Sequence, residues 1–432
     1  MGTIRHMNKI QAPPLQNVLC KLYGPDQLTL QTDRYQLLFA NYREQYGEES
    51  AVSLFSSPGR TEIGGNHTDH NHGRVLAASI DLDTIAAAAP TEEAVITIVS
   101  EGYPEQYRID LANLEPKPEE TGTLALLRGI AAGFVQHGYK IGGFNAYVSS
   151  NVLSASGLSS SASFEMLICA ILNAFYNQGM LDTVVMAKIG QYAENHFWNK
   201  PSGLLDQMAC AYGGLITIDF KDPEQPFIEP VPSKFRNRGY SLVIVGTGGN
   251  HADLTEDYAS VPGEMKAVAR ALGGEVVRDL TLEQIYGNLQ MLREQAGDRA
   301  VLRALHFLEE NERVGEEIAA LQAGRFEDFL QLVTASGNSS WKWLQNVYRN
   351  SEVREQGISI ALSLTELFLK RIGDGACRVH GGGFAGVILA IVPDEHVSEY
   401  AAFMEGMLAT PVFNIQIRDY GAVCLNDMIE QE

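Results

Sequence analysis

The chain has 432 residues, of which 45% are hydrophobic and 20% are charged, and this predicts a globular protein of two or three domains. Its formal net charge of −21 argues against a nucleic-acid or anionic-membrane partner, because binding to phosphate backbones depends on clustered Lys and Arg. No apolar run approaches the ~18 residues that a membrane-spanning helix needs.

Five cysteines are scattered along the chain without a CxxC pair, and no secretory signal precedes them. We interpret them as reduced thiols in a cytoplasmic protein. Zinc binding does not follow from their spacing.

Strand-like and helical segments alternate along the chain, which predicts a mixed α and β protein. The clearest helix follows the segment SASGLSSSAS (154–163), where apolar residues from Phe164 to Phe175 recur with the helical period. The strand-like runs are AVSLFSS (51–57), AVITIVS (94–100), LITIDF (215–220), YSLVIVG (240–246) and AGVILAIV (385–392).

The segment PGRTEIGGNHTDHNHG (58–73) concentrates Arg60, two acidic residues and three histidines among glycines. Such a polar segment is suited to hold a polar ligand. Hydrogen bonds within a turn are the structural alternative.

The serine-rich segment before the clearest helix fits a phosphate-binding loop, because small residues let backbone N–H groups approach phosphate oxygens at a helix N-terminus. An ordinary capped turn is an equally good reading of this stretch alone. Ser159, Ser160 or Ser161 could also supply a Mg²⁺ ligand. A Walker loop is excluded, because no Gly-Lys pair occurs in the chain. The segment VGTGGNH is not a dinucleotide fingerprint, because His251 stands where the third glycine is needed.

Two carboxylates lie in AENHFWNKPSGLLDQ: Glu194 near the end of one helix and Asp206 after a Pro-Ser-Gly break. A turn that brings them together could let one bind a metal and the other act on a hydroxyl. Most acidic residues, however, only face water.

The proline-rich segment 221–238 is the predicted domain junction, giving domains of residues 1–225 and 226–432. The second domain is predicted to be mostly helical from about residue 262 to 371. It then returns to glycine-rich turns and strands, with Gly381, Gly382 and Gly383 just before a buried type of strand. A tight hairpin is the structural alternative for the three glycines.

Four of these segments resemble, in order and approximate separation, the signatures of the galactokinase family of GHMP small-molecule kinases. They are PGRTEIGGNHTDHNHG, SGLSSSAS, AENHFWNKPSGLLDQ and CRVHGGGFAG. The resemblance implies an α/β (α+β) fold with an N-terminal domain like ribosomal protein S5 and a ferredoxin-like C-terminal domain. It also implies ATP and Mg²⁺ as cofactors, and transfer of a phosphoryl group to the C1 hydroxyl of a sugar by a monomer or weak homodimer.

The resemblance also implies roles for individual residues. Asp206 would be the catalytic carboxylate, with Arg60 stabilising it and the transferring phosphoryl group. Glu194 and Ser161 would hold Mg²⁺. The implied sugar-binding residues are Asn66, His67, Asp69 and Tyr258. The implied ATP-binding residues are Gly157, Leu158, Ser159, Ser160, Ser161, Gly381, Gly382 and Gly383.

This chain departs from the family pattern where galactokinases usually read GEHTDYNGG and it reads GNHTDHNHG. Asn66 replaces a glutamate that helps to hold the C6 hydroxyl of the sugar. An asparagine N–H could donate to a C6 carboxylate, so galacturonate is an alternative acceptor, although galactose is the first prediction. His380 likewise stands where threonine is usual.

A galactokinase-like sensor that binds sugar and ATP without turnover is the alternative of another class. Known sensors of that kind lose residues from the serine loop. Here Ser159 to Ala162 and Asp206 are intact, so we predict an enzyme.

Overall fold

The structure, a computed structural model, describes residues 10–47, 51–152, 157–200, 202–232, 235, 238–248 and 254–430. Residues 153–156, which include the start of the serine-rich segment, and Pro201 of the Pro-Ser-Gly break lie outside the described residues. The described residues form twelve β-strands and fourteen α-helices.

The first half of the chain alternates helices with strands. The helices are α1 (Pro13–Tyr23), α2 (Leu28–Tyr46), α3 (Gly122–Gln136), α4 (Ser160–Tyr176), α5 (Thr183–His196) and α6 (Leu205–Tyr212). The strands are β1 (Ser53–Gly64), β2 (Arg74–Pro90), β3 (Val95–Ser100), β4 (Gln106–Asp110), β5 (Phe144–Ser150), β6 (Leu215–Asp219) and β7 (Phe227–Pro230).

The second half is richer in helix. The helices are α7 (Thr255–Ala271), α8 (Leu282–Gly287), α9 (Leu289–Gln295), α10 (Asp298–Gln322), α11 (Phe326–Ser339), α12 (Gly357–Ile372), α13 (Val397–Leu408) and α14 (Leu425–Glu430). The strands are β8 (Tyr240–Gly246), β9 (Ala376–His380), β10 (Val387–Pro393), β11 (Val412–Ile415) and β12 (Val423–Cys424).

The larger sheet has eight strands, with β12-β1-β2-β5-β3-β4 as its main path. Strand β6 pairs with β2, and β7 pairs with β6. Its pairs are antiparallel except β3 with β5. Helices α3, α4 and α5 contribute to one hydrophobic core with this sheet, and this core fixes the N-terminus of α4 above the strands.

The smaller sheet is antiparallel, with four strands in the order β11-β8-β10-β9. Helices α12 and α13 pack against it through a second core that includes Phe368 and Tyr400. The mixture of two sheets and surrounding helices agrees with the predicted α/β (α+β) class.

The end of the chain returns to the larger sheet. Strand β12 pairs with β1, and the N–H of Leu54 donates to the Asn426 side chain at 2.8 Å. Nearby, the buried Arg418 donates to Ser56 Oγ at 2.6 Å and lies 3.1 Å from Asp83. The C-terminal residues therefore complete the sheet that begins with β1.

The strand-like and helical runs of the sequence are confirmed with small shifts in their ends, except that β1 continues seven residues past its apolar run to Gly64 and so includes the first part of the polar segment. The run 240–246 coincides with β8, and the predicted helix around Phe164 to Phe175 is α4. Helix α4 is buried on more than one face, because it lies between the sheet and neighbouring helices. The predicted junction near residue 226 stays a prediction; β7, which lies within it, extends the larger sheet.

Within the described part of the chain, no helix combines the length and the apolar character needed to cross a membrane.

Candidate active site

Asp206 lies at the start of α6, where the structure brings it against Arg60 of β1. Arg60 Nε donates to Asp206 Oδ1 at 2.7 Å. The Ser159 hydroxyl donates to the other carboxylate oxygen, and Arg60 also donates to the Gly157 carbonyl. One guanidinium thus connects the predicted catalytic carboxylate to the predicted phosphate loop.

This arrangement favours the ionised form of Asp206. Burial by itself would raise the pKa of the carboxyl, but the Arg60 charge and the bonds from Arg60 and Ser159 outweigh it. The pKa of Asp206 consequently lies below its usual range. About a third of the side chain remains exposed, so its oxygens can still accept a hydrogen bond from a ligand.

The predicted phosphate loop has a conformation that calls for small residues. Gly157 has φ of 71°, and a Cβ there would lie 2.9 Å from a Val387 methyl and 3.2 Å from His380 Nδ1. Ser159 also has positive φ, 59°, and precedes the first residue of α4. The loop therefore enters the helix with the Gly157 carbonyl and the Ser159 hydroxyl bonded to the Arg60 and Asp206 pair.

The two predicted Mg²⁺ ligands are neighbours. Ser161 Oγ donates to Glu194 Oε1 at 2.9 Å. The ammonium of Lys200 lies 2.5 Å from the same carboxylate oxygen and 3.2 Å from the serine oxygen. In this structure the two oxygens thus bind a positively charged group, the Lys200 ammonium.

A second buried acid lies behind Glu194. Gln207 Nε2 donates to Glu165 at 3.0 Å and to Glu194 at 3.1 Å. Burial, followed by the nearby Glu194 charge, raises the pKa of Glu165 well above its usual range. Gln207 thus connects this buried acid to the predicted Mg²⁺ ligand Glu194.

The turn after β1 carries the predicted sugar-binding residues His67 and Asp69. His67 Nε2 donates to the Gly382 carbonyl at 2.9 Å, and burial lowers the pKa of this imidazole to about 4. Asp69 Oδ1 accepts from the N–H of His70 at 2.9 Å. A Cβ on Gly203 would overlap with Asp69 Oδ2, so the glycine leaves room for the carboxylate.

Asn66 lies in the same turn, but its amide is fully used within the protein. Its Nδ2 donates to Glu62 Oε1 at 3.0 Å and to the Gly381 carbonyl at 2.7 Å. Its Oδ1 accepts from Ser340 at 3.2 Å and from Asn346 at 2.8 Å. In this arrangement neither amide hydrogen is available to a sugar, and the predicted contact of Asn66 with substrate stays a prediction.

The three consecutive glycines follow β9 and face the sugar-motif turn. The carbonyls of Gly381 and Gly382 accept from Asn66 and His67, and Gly381 and Gly383 have φ of 67° and 77°. Tyr258 packs behind this turn and donates to the Gly383 carbonyl at 3.2 Å. The structure does not bring Tyr258 into the walls of the sugar-side cavity described next, and the predicted nucleotide contacts of the glycines stay predictions.

One cavity is lined by Asp206, and another is lined by the first serines of α4. The smaller, of about 170 Å³, contains most of the predicted sugar and catalytic residues, and we call it the sugar-side cavity. Its walls include Arg60, Glu62, Asn66, His67, Asp69, Lys200, Gly203, Asp206, Gly381 and Gly382. The larger, of about 460 Å³, is lined by Ser160 and Ser161 and by the rings of Tyr103, Tyr107, Phe164 and Trp198. We call it the aromatic cavity.

Two residues at the site were missed by the sequence analysis. Glu62 follows Arg60 by two positions on β1, and the period of a strand could have placed both side chains on one face. Lys200 lies between Glu194 and Asp206 in sequence, where no regular pattern distinguishes it from an exposed lysine.

Comparison with known proteins identifies two matching family profiles. The "Galactokinase galactose-binding signature" matches residues 40–90, and the "GHMP kinases N terminal domain" matches residues 125–214. These ranges include the sugar-motif turn, the serine loop, Glu194 and Asp206.

Similar proteins include galactokinases of bacteria and archaea. The chain is 30% identical over 378 residues to the galactokinase of Lactococcus lactis subsp. lactis, covering 84% of this chain and 88% of that one. It is 30% identical over 336 residues to the galactokinase of Pyrococcus furiosus, covering 78% and 88%.

Solved structures show the same architecture. The Lactococcus lactis galactokinase complexed with galactose aligns with a TM-score of 0.77 and 26% identity, covering 90% of this chain and 99% of that one. A mevalonate kinase aligns with a TM-score of 0.61 at 18% identity, covering 85% of this chain and 99% of that one, which supports the fold alone.

Proposed function

Because the chain belongs to the galactokinase family, we propose that it transfers the γ-phosphoryl group of ATP to the C1 hydroxyl of galactose. As a member of the GHMP kinases, it is an ATP-dependent sugar kinase. The identity of the sugar and the roles of single residues are the parts of this proposal that need testing.

The observation that carries the proposal is the position of Asp206. Its carboxylate lies between the Arg60 guanidinium and the Ser159 hydroxyl, in the wall of a cavity that also contains His67 and Asp69. A sugar held by the sugar-motif turn would therefore meet an ionised carboxylate and a fixed positive charge together. These are the groups that phosphoryl transfer to an alcohol requires.

The nucleotide would bind on the other side of the serine loop. The aromatic cavity adjoins Ser160 and Ser161, and its ring-bearing walls suit a planar base. With the base there, the phosphates would run along the loop and the N-terminus of α4 towards Arg60. Donor and acceptor would then meet at Asp206.

In the proposed reaction the C1 oxygen bonds to the γ-phosphorus as the bond to the β-phosphate oxygen breaks, which releases ADP. Asp206 accepts the hydrogen bond of the C1 hydroxyl and so orients its oxygen. Since the pKa of Asp206 is lowered, it is a weak base, and it takes the proton late, as the oxygen becomes acidic on bonding to phosphorus. Arg60 offsets the charge of the transferring group.

Glu194 and Ser161 would hold Mg²⁺ together with phosphate oxygens and water. In the described part of the chain, no group of three or more His, Cys, Asp or Glu side chains could hold a metal. A site of two protein oxygens fits Mg²⁺, which binds through few carboxylates and keeps phosphate and water ligands. The Lys200 ammonium on the same two oxygens supports their affinity for a cation. When bound, the ion would neutralise charge on the phosphates.

The alternative of galacturonate depended in part on a free N–H of Asn66, and in part on the histidine at position 70. Both Asn66 amide hydrogens donate to protein oxygens, and we therefore keep galactose as the proposed acceptor. A sensor without turnover is disfavoured by the ionised and accessible Asp206.

The proposal is tested by ADP release in the presence of Mg-ATP and single sugars. We expect the highest kcat/KM with galactose, compared with galacturonate, N-acetylgalactosamine, glucose and arabinose. Phosphorus NMR of the product should show a phosphate at C1. If the protein binds sugar and ATP but releases no ADP with any of these sugars, the result would instead support a sensor.

A further inference from the structure

Glu62 is an acidic residue of the sugar-side cavity to which no role has been given above. It lies on β1, two residues after Arg60, and its side chain is only 9% exposed. Its carboxylate nevertheless contributes to the same cavity wall as His67, Asp69 and Asp206. A buried acid that faces a ligand cavity has a high desolvation cost and needs compensating partners.

Those partners occupy one oxygen of the carboxylate. The fully buried Arg378 of β9 donates to Glu62 Oε1 at 2.8 Å, and Asn66 Nδ2 donates to the same oxygen at 3.0 Å. No described residue donates a hydrogen bond to Oε2. The side chain is thus fixed by its first oxygen, while the second retains its capacity to accept.

Arg378 in turn is held firmly. Its Nε donates to the Val379 carbonyl at 3.0 Å, and one terminal nitrogen donates to the Ile63 carbonyl at 2.6 Å. Its remaining terminal nitrogen is therefore directed at Glu62. This anchoring leaves Glu62 little freedom to turn away from the cavity.

Asn66 stands at the family position where a glutamate helps to hold a sugar hydroxyl, yet its amide has no hydrogen left for a ligand. Glu62, four residues before Asn66 and hydrogen-bonded to it, provides a carboxylate acceptor that Asn66 does not have. The Asn66 amide thus fixes the position of the Glu62 carboxylate through this hydrogen bond.

We infer that Glu62 accepts a hydrogen bond from a hydroxyl of the sugar and disfavours a uronate, with Asn66 as its positioning residue. This inference rests on the proposed sugar kinase function and concerns the acceptor within it. A sugar hydroxyl donates to Oε2 without disturbing the Arg378 bond. A sugar carboxylate in its place would bring a second acidic group against the buried Glu62 carboxyl, whose pKa is already raised by burial.

The test combines replacement of the Glu62 carboxylate in the protein with removal of single hydroxyl groups from galactose. The kcat/KM values of the wild type and Glu62→Gln are measured with galactose and with its 2-, 3-, 4- and 6-deoxy derivatives. For the wild type we expect kcat/KM to be about tenfold lower or more for one deoxy sugar, because that sugar leaves the buried Glu62 oxygen without its hydrogen-bond donor. For Glu62→Gln we expect a similar loss with galactose, through KM, and little further loss with that deoxy sugar.

Galacturonate supplies the second readout. We expect Glu62→Gln to raise the ratio of kcat/KM for galacturonate to that for galactose by about tenfold. Glu317→Gln is the matched control, because Glu317 is a buried acid near Arg378 that does not contribute to the cavity wall. It should change neither the deoxy-sugar pattern nor this ratio.

If Glu62→Gln lowers activity equally with every deoxy sugar and leaves the galacturonate ratio unchanged, the inference is wrong. A wild-type preference for galacturonate would also overturn it while preserving a sugar kinase. Absence of turnover with all of these sugars would instead reject the proposed function. Should Glu62→Gln fold poorly, Asn66→Ala provides the same comparison, because loss of the positioning amide should weaken the same hydroxyl contact.

Discussion

At the scale of single residues, Asp206 is the group on which the proposed mechanism depends. We expect Asp206→Asn to lower kcat by about 10²-fold or more, because the amide cannot take the proton and carries no charge to pair with the Arg60 guanidinium. Galactose binding, measured by calorimetry, should remain within about tenfold of the wild type. A variant with near wild-type kcat would refute the role of this carboxylate.

Gly203 is predicted to be needed for sugar binding, because it leaves room for Asp69. In Gly203→Ala the new methyl group would overlap with Asp69 Oδ2 and turn that carboxylate away from the sugar. We expect KM for the sugar to rise about tenfold with a smaller change in KM for ATP, as measured by steady-state kinetics. Gly406→Ala on α13, where a Cβ would meet no atom within 4 Å, is the control and should leave the sugar KM nearly unchanged. Equal sugar KM values for both variants would contradict this steric account.

The sequence predicted much of this site because its motifs are local. Arg60, His67 and Asp69 lie within ten residues of one another, in a segment that is unusually polar for its glycine content. The hydrogen bonds of Asn66 could not be predicted in the same way. Ser340 and Asn346, which use its oxygen, lie more than two hundred residues away and become neighbours only through tertiary packing.

At the scale of elements, α3 and α5 approach closely at a glycine. A Cβ on Gly129 would lie 2.7 Å from the Ala193 Cα, which is backbone and cannot turn aside. Ala193 precedes Glu194, so the position of the proposed Mg²⁺ ligand depends on this helix contact.

We expect Gly129→Ala to lower the free energy of unfolding by about 1–3 kcal/mol and to raise the Mg²⁺ concentration needed for half-maximal activity. Urea unfolding and a Mg²⁺ titration measure the two effects. Gly133→Ala is the matched control on the same helix, because its Cβ would meet the Ile189 side chain, which can adjust. A larger effect of the control than of Gly129→Ala would contradict this account.

Elements with a clear period were predicted well, and those defined by long-range pairing were not. Strand β8 has the same limits as its apolar run. Strand β7 lies in a segment with four prolines and few apolar residues, and only its pairing with β6 makes it a strand. Helix α7 continues through Pro262, although proline usually ends a helix, so tertiary contacts outweigh the local preference there.

At the scale of the whole molecule, buried acids link stability to pH. Glu317 on α10 is fully buried, and neither of its oxygens has a hydrogen-bond partner among the residues that the structure describes. Burial, with the Glu310 charge adding to it, raises the pKa of Glu317 well above the value of about 4.3 expected in the unfolded chain. The folded protein therefore keeps a proton that the unfolded chain loses.

The sign of the effect follows from this difference in bound protons. Between the unfolded and folded pKa values of Glu317, stability falls as the pH rises. We expect Glu317→Gln to be more stable than the wild type at pH 8 and equally stable near pH 4.5, as measured by urea unfolding. Glu316→Gln, at the exposed neighbouring position, should show no such difference. A stability difference independent of pH would contradict the assignment of a raised pKa.

The pairing of β12 with β1 sets a timing constraint on how the protein is made. The N–H of Leu54 and the side chain of Asn426 that accepts its hydrogen bond are 372 residues apart in the chain. At about 5–20 residues per second, a ribosome needs roughly 20 to 70 s to synthesise the chain between them. During that interval the edge of β1 that β12 will cover is open to other strands. The strand that carries Arg60 and Glu62 therefore gains its last neighbour only when synthesis of the chain is almost complete.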